Sequence, residues 1–194
     1  RIGVNTMMKY YDIGIREATR RYRTTTGLPY EHQIKINFPE SSKNEEAITE
    51  FEKLKIERIY DQRLFPDTVR TLGILQEQGF AVFVSSSTFQ STIEEYFDRR
   101  NLRNFFDGIM GYRPGFEKGK DHFEYVRDHY GIDLSDVVFV GDSIKDYQRA
   151  EGFCSFVAVI GMFSEKDFRE AGYEGPVVDE LSDIPEVVVF GRGD

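Results

Sequence analysis

Two carboxylates four residues apart, Asp142 and Asp146, follow the apolar run Val137-Val138-Phe139-Val140 through Gly141. A buried strand that delivers one aspartate through a glycine, with a second aspartate in the next loop or first helical turn, aims both at one point. Two hard oxygen ligands suit Mg²⁺, which takes few carboxylates, keeps several waters and bridges to phosphate. The competing reading of this pair is a helix cap plus a solvated acid. A second candidate is the hydroxyl run Ser85-Ser86-Ser87-Thr88 after Val82-Phe83-Val84. Hydroxyls and backbone N–H groups at a strand-to-helix junction can cradle a phosphate, although the same residues also serve as ordinary N-caps. A third is Lys118 or Lys120, in Phe116-Glu117-Lys118-Gly119-Lys120-Asp121 just ahead of a helical stretch, where an ammonium could neutralise a phosphoryl oxygen.

These residues need elements to hold them. From residue 65 onward, short apolar runs alternate with helical stretches. Strand signals fall at 80–84, 108–112, 137–140, 156–160 and 176–178, and helices at 67–78, 88–100, 121–130 and 165–171, with a helical turn at 147–151. Strands alternating with helices predict parallel βαβ units, hence a doubly wound α/β core whose site lies at the carboxyl ends of the strands. Residues 1–64 carry no strand signal. They read as helices over 1–11 and 13–25 and a short helix or turn over 30–38, followed by a helix opened by Ser41-Ser42-Lys43-Asn44 and an acidic first turn and running to about Leu64. The expected organisation is a helical subdomain, 1–64, and an α/β core, 65–194.

Composition narrows the partners. The chain has 25 Lys plus Arg against 34 Asp plus Glu, a net charge of −9, which argues against a broad nucleic-acid footprint and for a small-molecule substrate. No stretch approaches the about 20 apolar residues of a membrane span. One cysteine, Cys154, excludes an internal disulfide framework and fits a cytoplasmic, reducing setting, where it reads as a small core residue. His32, His122 and His129 lack metal-site spacing and are read as surface or cap residues. Arg16, Arg20, Arg21 and Arg23 could meet a substrate anion but fit a solvated helix face better. The terminal triplet Arg192-Gly193-Asp194 is taken as chance.

In their order and spacing, the three candidate pieces resemble the haloacid dehalogenase-like hydrolases, and within them the phosphoglycolate-phosphatase-like branch with a small helical cap. Ser85 matches that family's strand ending in Ser or Thr, Lys118 or Lys120 its lysine ahead of a helix, and Gly141, Asp142 and Asp146 its Gly-Asp-x-x-x-Asp motif. Leu64-Phe65-Pro66, Asn104-Phe105-Phe106-Asp107-Gly108-Ile109 and Val177-Val178-Asp179-Glu180-Leu181 are similar to its softer features, so the likeness spans essentially the whole chain. The resemblance implies a Mg²⁺-dependent phosphatase acting on a small phosphorylated metabolite through an aspartyl-phosphate. Ser85, assisted near Ser86, would bind phosphoryl oxygens and Lys118 or Lys120 would offset their charge. Lys118 is preferred for its distance to Gly131. Asp142 and Asp146 would hold the metal, and the cap would set substrate choice. The family's first motif, a strand with Asp-x-Asp-x-Thr that supplies the nucleophile, does not occur between Arg1 and Asp194. The expectation is that it precedes Arg1; its true absence would imply a non-catalytic phosphate-binding or regulatory relative. Mutase or dehalogenase chemistry on the same scaffold is a further option, and the metal pair argues against the dehalogenase.

Overall fold

Apolar residues at three- and four-residue spacing build the first part of the chain. The computed structural model describes residues 1–190 and divides them into two compact units that meet in sequence at Arg63 and Leu64. The triplet Arg192-Gly193-Asp194 lies outside the described residues.

The first unit consists of helices α1 (Ile2–Tyr11), α2 (Ile15–Thr25), α3 (Tyr30–Asn37) and α4 (Asn44–Ile59). Its core gathers Met7, Ala18, Tyr30, Ile34 and Phe51, and it stacks Tyr30 on Phe51 and Tyr11 on Phe38, each at 3.6 Å between ring centroids. Asp12, at φ 51°, adopts the left-handed conformation that ends α1. Helix α4 stops at Ile59, short of the expected Leu64, and its end tightens into turns from Arg58 and Ile59 carbonyls to Asp61 and Gln62. The coming Pro66 disfavours helix in the residue before it. Ser41 does not cap α4; its Oγ accepts from the Lys43 N–H in the preceding turn. Arg20 and Arg21 are occupied within this unit: both grip Glu17, and Arg21 also donates to the Asn37 carbonyl and lies over the Phe38 ring.

The second unit is α/β. In order it holds α5 (Thr68–Glu77), β1 (Phe83–Phe89), α6 (Gln90–Asp98), β2 (Gly108–Tyr112), α7 (Lys120–Tyr130), β3 (Val138–Gly141), α8 (Ile144–Ala150), β4 (Ser155–Val159), α9 (Glu165–Glu170), β5 (Val177–Val178) and α10 (Ile184–Phe190). Every strand pairing is parallel: β1 with β2, and β3 with β4 with β5. Among the described residues these are two sheets, so β1 and β3 each pair on one edge only. Strand β4 is buried on both faces, as its unbroken apolar sequence requires. Phe156 and Ala158 join Phe123, Phe139, Phe168 and Tyr173 on one side, and Val157 joins Val178, Ile184 and Val188 on the other. Phe168 is fully buried in the first of these clusters. Phe168→Ala is expected to lower unfolding stability by about 3–5 kcal/mol, read as a shifted midpoint in urea.

Two elements depart from the sequence expectation. The strand expected over 80–84 instead starts at Phe83 and carries on through the hydroxyl run to Phe89. The chain before Phe83 is pinned otherwise: Val82 donates its N–H to the Asp107 carboxylate and accepts from the Asp107 N–H, while the Phe80 N–H closes α5 on the Leu75 carbonyl. The sequence reading places no element over 184–190, where α10 forms. Pro185 sits in the first turn, where no intrahelical N–H is lost, and burial of Ile184 and Val188 outweighs the weak propensity of valine. No helix among the described residues is long and apolar enough to cross a membrane.

Candidate active site

Strand β3 ends at Gly141, and Asp142 follows it directly. Ser143 then caps α8, its side chain accepting from the Asp146 N–H, which places Asp146 in the first helical turn with 1% of its surface exposed. A side chain at Gly141 would come within 2.7 Å of Asp146 Cβ and 2.9 Å of its Oδ2, so the glycine is what lets Asp146 fold back against the strand end. Asp142 lies against Gly161, just past the carboxyl end of β4. Its side chain remains open to solvent, yet the protein crowded around it and the neighbouring Asp146 push its pKa upward, with Lys118 opposing. Solvent access softens that shift, and its direction is what matters: two carboxylates here repel each other and call for a cation.

Lys118 supplies part of the compensation. Its Nζ donates to Asp146 Oδ1 at 2.8 Å, with 15% and 2% of the two side chains exposed, and it sits 5.4 Å from the Phe139 ring centroid. Arg149, one turn along α8, brings Nη1 to 3.3 Å from the same oxygen. Gly119, at φ +112°, packs against the Arg149 stem where a Cβ would approach to 2.9 Å. Only glycine combines that backbone conformation with so close an approach. Lys120, the other candidate lysine, is 65% exposed and lies 4.0 Å from Glu124.

Ser85 pairs with Met110 of β2 as the last residue of the regular register, which breaks between Ser85 and Phe89. Its Oγ shares a 2.8 Å hydrogen bond with Nδ1 of His122. This overturns the reading of His122 as a surface residue: it is fully buried, against the Phe116 ring at 4.5 Å, and burial lowers its pKa to about 4. Lys118 and Arg149 are close enough to disfavour its charge further. Helix α7 and the turn before it therefore tie both sheets together, Lys118 reaching the end of β3 and His122 reaching β1. The hydroxyl run does not cap α6, whose N-cap is Phe89 without a side-chain bond. Ser86 Oγ instead accepts from the Thr88 N–H.

The structure thus brings Asp142, Asp146 and Lys118 into one cluster, joins Ser85 to it through His122 and α7, leaves the Ser86 hydroxyl in a local turn and leaves Lys120 apart. His122 and Arg149 are the additions that sequence reasoning missed. Arg149 sits one helical turn after Asp146 on α8, a spacing that was the available signal, whereas Lys118 precedes α7 and gave none for His122. Cys154 is half-buried and its thiol is pushed up to about 11 by burial, which removes it as a nucleophile. Among the described residues no group of three or more His, Cys, Asp or Glu side chains gathers around one point. Two carboxylates are nonetheless a sufficient protein contribution for Mg²⁺, which binds through one or two carboxylates and retains water. The donor set therefore fits that ion.

Comparison with known proteins bears on the same residues. The family model described as haloacid dehalogenase-like hydrolase matches residues 3–159. Phosphoglycolate phosphatase from Aliivibrio fischeri is 28% identical over 102 residues, covering 50% of this chain and 45% of that protein, so the match spans less than half of the relative. A Dickeya dadantii protein named "Probable phosphatase IndB" is 24% identical over 179 residues, covering 87% of this chain and 77% of that one. A haloacid dehalogenase-like family hydrolase from Streptococcus pneumoniae superposes with a TM-score of 0.75 at 18% identity, over 94% of this chain and 86% of that chain, and so shares the fold. The match over most of the chain and the cluster at the end of β3 lead to one assignment: the chain belongs to the haloacid dehalogenase-like hydrolases.

Proposed function

We propose that this protein hydrolyses the phosphate monoester of a small metabolite, in the cytoplasm, with Mg²⁺ held at Asp142 and Asp146. The observation that carries this reading is the buried Lys118–Asp146 contact beside Asp142, with Ser85 linked to the same cluster through His122. When bound, Mg²⁺ supplies charge neutralisation for the phosphoryl oxygens and the attacking carboxylate. Phosphoryl transfer asks mainly for such positioning and electrostatics. Ser85 would hydrogen-bond one phosphoryl oxygen, with a backbone N–H near Ser86 assisting. Lys118, already desolvated against Phe139, would meet another as a point charge. Arg149 keeps Asp146 oriented while Lys118 turns toward substrate.

The nucleophile in this reading is a carboxylate on a strand outside the 194 residues. It attacks phosphorus, expels the alcohol and leaves an acyl-phosphate that water hydrolyses, regenerating the carboxylate. The one-sided pairing of β1 and β3 supports this part, since a strand added beside them would satisfy exposed N–H and C=O groups and bring its end to the cluster. The net charge of −9 favours a small anionic substrate gathered locally over a nucleic acid. Because Arg20 and Arg21 are engaged with Glu17, neither is a good candidate to recognise the substrate.

The test is phosphate release from p-nitrophenyl phosphate and a panel of small phosphomonoesters by the full-length protein. Release is expected with Mg²⁺, to be lost on treatment with EDTA and to return with added Mg²⁺. Release untouched by chelation contradicts the metal assignment. Phosphate binding without any turnover favours the non-catalytic alternative.

A further inference from the structure

We propose that His122 is a positioning residue for Ser85: its Nδ1–H donates to Ser85 Oγ, which turns the serine's own hydroxyl hydrogen away from the ring and toward a phosphoryl oxygen. The inference rests on the phosphatase reading and deepens it, because it says how one serine within a strand becomes a directed donor.

The ring is fully buried, and its Nε2 has no hydrogen-bond partner. Burial keeps the imidazole neutral at ordinary pH, so it carries a single proton. Placed on Nε2, that proton would be an orphaned buried donor, and Ser85 would have to spend its only hydrogen on Nδ1. Placed on Nδ1, it is bonded to Ser85 Oγ, and only an acceptor lone pair is left over. Buried N–H groups without partners are rarer than under-used acceptors. The Gly111 backbone acts as an acceptor toward the ring and favours its charged form more than Asp121 does, while Lys118 and Arg149 oppose it. That acceptor falls outside hydrogen-bonding geometry to Nε2, so the well-formed bond is the one at Nδ1 with Ser85.

A hydroxyl offers one donor and two acceptor sites. With one acceptor site filled by His122, the Ser85 oxygen is held in place and its hydrogen is free for substrate. The ring itself is fixed by Phe116 and by its place on the buried face of α7 beside Phe123 and Val126. The turn leading into that helix carries Lys118, so one short segment positions Lys118 and, through His122, Ser85.

Two measurements on the full-length protein test this. Nitrogen-15 NMR of the imidazole is expected to show His122 protonated at Nδ1, with that signal altered in Ser85→Ala; protonation at Nε2 overturns the proposal. With p-nitrophenyl phosphate and Mg²⁺, His122→Leu is expected to lower kcat/KM by about 10- to 100-fold in the wild-type background and by less than about twofold in the Ser85→Ala background. His122→Asn, which keeps an N–H near the Nδ1 position, is expected to stay within about threefold of wild type. Losses from His122→Leu and Ser85→Ala that multiply would overturn the proposal, as would an equal loss in a folded His122→Asn. Should His122→Leu fail to fold, the tautomer in the wild type still decides. If the wild type releases no nitrophenol, the phosphatase reading fails while the tautomer continues to judge the hydrogen bond.

Discussion

Asp142→Asn is expected to reduce Mg²⁺-dependent phosphate release by about 10³-fold or more while leaving the thermal midpoint of the metal-free protein unchanged or slightly raised. Both halves follow from the same placement. Asp142 is the carboxylate open to solvent at the end of β3, free to take a metal, whereas Asp146 is buried and already bonded to Lys118 and Arg149. Its pKa is raised by the protein packed around it and by Asp146. A group whose folded pKa lies above its unfolded value stabilises the fold most below the unfolded pKa, and that contribution is lost as pH rises through the folded one. At neutral pH the charged Asp142 therefore strains the metal-free fold, and a neutral amide of the same shape relieves it. A bound cation reverses the sign by favouring the carboxylate, so Mg²⁺ should raise the midpoint of the wild type and not that of Asp142→Asn. Thermal scans with and without Mg²⁺ read this directly. A variant that keeps its turnover would remove Asp142 from the site.

Lys118→Met should be costly in both stability and activity. It leaves the buried Asp146 carboxylate with Arg149 as its remaining cation, at 3.3 Å. Removing one partner of a buried, hydrogen-bonded ion pair costs about 3–5 kcal/mol, because the remaining charge stays desolvated. Loss of the ammonium that faces the phosphoryl group should lower kcat by about 10²–10³-fold. Lys120→Met is the matched control. With its side chain in solvent and Glu124 at 4.0 Å, it should change stability by less than about 0.5 kcal/mol and leave turnover intact. Urea melts and initial rates on the two variants separate the lysines; equal effects, or the larger effect at Lys120, would reverse their roles.

The parts of the site written in local sequence were readable in advance. Gly141, Asp142 and Asp146 sit within six residues, and the turn from β3 into α8 converts that spacing into convergence without help from distant segments. Parallel β/α alternation was readable for the same reason, since each apolar run is short and bounded by glycine or a polar turn. What escaped depends on contacts between segments far apart in the chain. Ser85 reads as a strand end because the hydroxyls break the apolar run, and the regular pairing with β2 does stop at Ser85; what the sequence does not show is the irregular stretch after it that rejoins β2 at Phe89. His122 reads as a surface or cap residue because the histidines are scattered and lack metal-site spacing. Its burial exists only because α7 packs across Ser85 and Phe116.

The most direct test is a crystal structure of the full-length protein grown with Mg²⁺ and orthovanadate, a mimic of the phosphoryl group in transfer. The account predicts a vanadate oxygen within hydrogen-bonding distance of Ser85 Oγ, another near Lys118 Nζ, and a cation ligated by Asp142 with Asp146 beside it. An oxyanion bound elsewhere, with Ser85, Lys118 and Asp142 touching neither it nor the metal, would contradict it.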